Sequence, residues 1–76
     1  MTIQVRALWD EEAKVWVATS DDVPGLATEA ASWNELIPKL KVLIPELLDA
    51  NGYADGDDFP FKVLGEVVEV AHREAA

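Results

Sequence analysis

The sequence predicts an α+β domain of order β-β-β-α-β, a four-stranded sheet in spatial order 3-2-1-4 with one helix on one face. Two observations carry this. Apolar and polar residues alternate near both ends of the chain, which is the period of half-buried strands. Between them, only Ser32 to Gly52 (SWNELIPKLKVLIPELLDANG) repeats apolar residues at helical spacing over several turns. A helix that joins two strands of one sheet makes a right-handed crossover between parallel strands. The third and fourth strands are therefore expected to run parallel, with the N-terminal hairpin between them.

The first strand is Thr2 to Trp9, with Ile3, Val5, Ala7 and Trp9 on one side and Gln4, Arg6 and Leu8 on the other. Asp10 to Ala13 interrupts it, and Lys14 to Thr19 (KVWVAT) returns as the second arm of a hairpin. If Asp10 pairs with Lys14, Val15 and Val17 join Ile3, Val5, Ala7 and Trp9. Leu8 and Trp16 then lie on the face the helix leaves open. This is the preferred register, and one shifted by a single residue puts Trp16 inside instead. Ser20 to Leu26 (SDDVPGL) is a turn, its Pro24-Gly25 suited to the centre of a type II turn. Ala27 to Ala31 is a short third strand.

The helix opens with a capping box: Ser32 accepts from the Glu35 amide and the Glu35 carboxylate reaches back to the Ser32 amide. Trp33, Leu36, Ile37, Leu40, Leu43, Ile44, Leu47 and Leu48 form the apolar stripe, Lys39, Lys41, Glu46 and Asp49 face water, and Asn51-Gly52 ends the helix. Pro38 and Pro45 each cost roughly 3 kcal/mol inside a helix. Burying eight large side chains at ~1.5–3 kcal/mol each more than offsets that, which favours one kinked helix over a start at Pro38. Tyr53 to Pro60 is a polar loop. Phe61 to His72 (FKVLGEVVEVAH) is the last strand, with Phe61, Val63 and Val67 on one side and a bulge at Gly65. Residues 1–72 make one domain and 73–76 a frayed tail.

A chain of 76 residues forms one small core, of the size that often gains stability by self-association. It contains no cysteine, which excludes disulfides and thiolate chemistry. Fifteen acidic residues against six basic ones give a net charge of −9. Such a field repels phosphate backbones and favours cationic partners, so direct nucleic-acid binding is not expected. The bland role of the charge is solubility. With no apolar run long enough for a membrane span and no basic leader, the chain is expected to be cytoplasmic.

Chemistry-bearing residues are sparse. His72 is the sole histidine, and a surface position near a frayed end is the expected place for it. Asp55, Asp57 and Asp58 resemble the start of a calcium loop, but the glutamate expected near its twelfth position is missing. Asp10, Glu11, Glu12, Asp21 and Asp22 lie in turns, where acids normally sit, and Thr19 and Ser20 have no base nearby. No catalytic, cofactor or metal site is expected, and hence no enzyme. The candidate partner-binding residues are Leu8 and Trp16, as an apolar patch on the uncovered face, with Asp21 and Asp22. A two-fold dimer through that face or a neighbouring strand edge is the expected association.

The run WDEEAKVWVATSDDVPGLATEA (Trp9 to Ala30), then a capped helix with KLKVLIPELLDANG (Lys39 to Gly52), resembles the short HicB-like antitoxins, a subset of which is known only as a domain of unknown function. The resemblance spans about residues 3 to 70. It implies a partial RNase H-like fold and a HicA-like partner, a small basic mRNA-cleaving toxin. Longer members add a C-terminal DNA-binding module that residues up to Ala76 do not match, and the RNase H acid set is not matched either. Neither operator binding nor nuclease activity is therefore carried over. The alternative is an orphan oligomeric binding module with no toxin.

Overall fold

The computed structural model describes residues 2–52, 56 and 58–74. Its elements are β1 (Ile3–Asp10), β2 (Val15–Thr19), β3 (Ala27–Ala30), α1 (Trp33–Ala50) and β4 (Phe61–Glu66). The sheet order is β3-β2-β1-β4; β1 pairs with β2, and β2 with β3, antiparallel, whereas β1 and β4 are parallel. This is the α+β arrangement the sequence predicts. Asp55 and Asp57 of the acidic loop, and Ala75 and Ala76 of the tail, lie outside the described residues.

The helix follows its sequence pattern closely. Ser32 caps it, accepting from the Glu35 amide at 3.3 Å, and Asn51 closes it ahead of Gly52, whose φ is +81°. The chain stays helical through Pro38 and Pro45. Leu36, Leu40, Ile44 and Leu48 are buried, and Trp33, Ile37, Leu43 and Leu47 pack partly buried beside them. Only half of the capping box forms, since no bond joins the Ser32 amide to the Glu35 carboxylate among the described residues.

Beneath the helix lie Ile3, Val5 and Ala7 of β1, Ala18 of β2 and Ala30 of β3, the alanines giving the helix room to approach. Val23 and Leu26 complete the core from within the turn, where the sequence shows only turn chemistry. That turn is type II as expected: Leu26 N–H donates to the Val23 carbonyl at 3.1 Å and Gly25 has φ +85°.

The hairpin register differs from the preferred one. Asp10 pairs with Val15, not Lys14, and Trp9 pairs with Trp16. The cause is the turn. Asp10 Oδ1 accepts from the amides of Glu12 and Ala13, Lys14 N–H donates to the Asp10 carbonyl at 2.8 Å, and Lys14 adopts the left-handed region at φ 58°. The loop thus takes one residue more. Trp16 and Ala18 turn to the helix side, and Val15 and Val17 turn outward with Leu8.

The last strand is also corrected. β4 ends at Glu66, and residues 67–74 belong to no helix, strand or turn. The pairing Ala7↔Gly65 and Leu8↔Glu66 continues the earlier register without a bulge. A β-carbon on Gly65 would stand 2.7 Å from Trp33 Cζ2 and 3.3 Å from Trp16 Cζ3, so glycine is there to let the indoles lie on the strand.

Candidate interaction surface

One helix covers one face of the sheet. By register and alternation, the other face carries Gln4, Arg6 and Leu8 of β1, Val15, Val17 and Thr19 of β2, Glu29 of β3, and Lys62, Leu64 and Glu66 of β4. Leu8 is 42% exposed and Leu64 57%, with Val15 and Val17 half-buried. The four predicted partner-binding residues therefore divide. Leu8 lies on this uncovered face, whereas Trp16 lies on the helix side, packed against the core.

Trp16 instead joins an aromatic row at the end of the sheet where the helix begins. Its ring meets Trp9 edge-on at 5.4 Å between centroids and Trp33 at 5.5 Å. Such contacts add about 0.5–1.5 kcal/mol each to plain burial. Trp9 Nε1 donates to Glu11 Oε2 at 2.6 Å, and Glu11 Oε1 also pairs with the Lys14 ammonium. The hydrogen bond from Lys14, then that from Trp9, then the Lys14 charge hold the Glu11 carboxyl below the usual carboxylate range.

Asp21 and Asp22 stand at the opposite end, both exposed. Their loop is tied to β1: Ser20 Oγ donates to the Gln4 carbonyl at 2.6 Å, Asp22 N–H donates to Ser20 Oγ at 3.1 Å, and Gln4 N–H donates to Asp22 Oδ2 at 2.8 Å. Beside this lock, Arg6, Thr19, Ser20, Asp21 and Leu64 border an open groove of about 320 Å³. Exposed acids thus stand in the turns at both ends of the sheet, Asp10, Glu11 and Glu12 at one and Asp21 and Asp22 at the other. Among the described residues, no group of three His, Cys, Asp or Glu side chains is placed to hold a metal ion. No helix of the described residues is long and apolar enough to cross a membrane.

A feature absent from the sequence expectations is the segment that follows β4. Val67, Val68 and Val70 are exposed, Val68 by 87%. The signal was present in lengths: a strand from Phe61 to His72 is longer than the β1 strand that would have to pair with it.

The model of a family described as a domain of unknown function, DUF1902, matches residues 2–73. A crystal structure of a hypothetical protein from the extremely thermophilic bacterium Thermus thermophilus is 52% identical. The alignment covers 96% of this chain and 100% of that one, with a TM-score of 0.72. No curated protein matches the chain.

Proposed function

The chain belongs to the DUF1902 family, a domain of unknown function, and on the resemblance of its sequence we propose that it works by binding protein, as a HicB-like antitoxin that neutralises a small basic HicA-type mRNA-cleaving toxin in the cytoplasm. The observation that carries this reading is the uncovered sheet face, where Leu8, Val17 and Leu64 lie beside Arg6 and Lys62, with exposed acids in the turns at both ends of the sheet. A protein that cuts RNA presents a cationic surface to phosphates, and the acidic turns at the two ends of the sheet compete for that surface. The apolar centre supplies affinity and the acidic ends supply encounter rate. The net charge of −9 adds long-range attraction of the same sign.

The test pairs the full chain with the product of a basic reading frame of similar length beside its gene. Co-expression is expected to relieve the growth arrest that product causes alone. The association rate measured by stopped flow should fall as salt rises past physiological strength, where screening acts within ~8–10 Å. Asp21→Asn should slow association without changing the circular dichroism spectrum. Failure to bind, or binding at a salt-independent rate, overturns the reading.

A further inference from the structure

We propose that residues 67–74 are an exchange arm, which pairs antiparallel with the open edge of β4 in a second copy of this chain and joins two sheets into one.

The shape of the molecule is the first argument. A compact chain of this length has a radius of gyration of about 11 Å, yet this one has 15.5 Å and a longest dimension of 61 Å against 22 and 19 Å for the others. Eight extended residues reach ~26 Å, enough to account for the excess. The arm is exposed along its whole length while carrying Val67, Val68, Val70 and Ala71. Valines in water beyond the end of a sheet are the composition of a strand whose partner lies elsewhere.

The two sheet edges differ in a way that selects the acceptor. On the β3 side, Lys39 of the helix reaches over and its Nζ donates to the Glu29 carbonyl at 2.7 Å. On the β4 side, no strand pairs with the outer edge among the described residues. The arm leaves from that same strand. A two-fold axis near Val67 therefore lays each arm along the other copy's β4, and closed pairs of this kind are the common form of self-association.

The register supports the second copy as occupant. With Val67 opposite its own counterpart, Leu64 faces Val70 of the second copy and Gly65 faces Glu69. Lys62 faces His72 and has Glu74 as its diagonal neighbour. Leu64, 57% exposed in one chain, is then covered by Val70, 73% exposed, so the two apolar surfaces cover each other. An extended segment of eight residues has ~1,300 Å² of accessible surface. Laying one side of each arm on a partner strand buries on the order of 2,000 Å² in total, within the range of stable dimers.

This inference does not rest on the toxin reading, and salt separates the two. Two chains of charge −9 repel each other, so the self-association tightens as salt rises, whereas capture of a basic partner weakens. Sedimentation of the full chain should show a monomer–dimer equilibrium. Val68→Ser/Val70→Ser, which removes the apolar contacts, and Ala71→Pro, which removes an amide that faces the partner's β4 and so blocks the strand ladder, should each raise the dimer dissociation constant at least about tenfold with the circular dichroism spectrum unchanged. Since the chain has no cysteine, Leu64→Cys mixed with Val70→Cys should give a covalent pair under mild oxidation, which requires β-carbons about 4 Å apart. A chain monomeric at every concentration, a dimer as tight in both arm variants, or a dimer without the cross-link overturns the proposal.

Discussion

Gly65 shows how much one absent side chain decides. Three tryptophans crowd the end of the sheet where the helix begins, and two of them, Trp16 and Trp33, fit because β4 presents bare backbone there. A β-carbon at 2.7 Å from Trp33 forces an indole or the strand to move. Gly65→Ala is therefore expected to destabilise the fold by about 1–3 kcal/mol, the usual penalty for overpacking, read from a urea midpoint. In a Trp33→Leu background the same change should cost much less. The sequence marks Gly65 as exceptional within a strand, but a bulge and a close approach leave the same signature. Glu11 acts through charge. Its carboxyl is held below the usual value of 4.5 by Lys14 and Trp9, so the folded state favours the ionised form. The stability this adds is fully present above the unfolded value and is lost as pH falls through the lower, folded one. Glu11→Gln should melt below the parent at a pH well above 4.5, and the gap should close as the pH falls below that value.

Among the elements, the helix was legible in its span and its apolar stripe but not in its reciprocal cap, and the hairpin was not legible in its register. Eight apolar residues at three- and four-residue steps leave one solution, and the burial of Leu36, Leu40, Ile44 and Leu48 is that solution. The hairpin turned on whether its loop held three residues or four. That depended on Asp10 binding two amides and Lys14 accepting a left-handed φ, which composition alone does not reveal. One residue of slippage exchanged Trp16 and Ala18 for Val15 and Val17, and with them one of the candidate interface residues. At the helix start, the one-sided cap makes a graded prediction. Ser32→Ala should lower stability by about 0.5–2 kcal/mol. Glu35→Ala, which breaks no return bond, should lose only its favourable place at the positive end of the helix dipole, about 0.3–1 kcal/mol. Chemical denaturation of both variants checks the order.

For the whole molecule, fold class and strand order followed from periodicity and crossover geometry, which depend on pattern and not on individual contacts. The candidate surface depended on exposure, and exposure depended on register, so only part of it was readable in advance. Residue spacing alone contains no function, and the one proposed above comes from the resemblance to HicB-like antitoxins. One consequence of the strand order concerns the order of synthesis. β1 is central, and its second neighbour, β4, is the last element of the chain, with Ile3 pairing to Phe61. A contact spanning most of the sequence is slow to close. During translation the hairpin and helix emerge first, with the inner flank of β1 still open. The nascent chain therefore completes its sheet only when Phe61–Glu66 arrives, and until then the flank of Ile3 and Val5 is a place where a chaperone or a neighbouring nascent chain gains purchase.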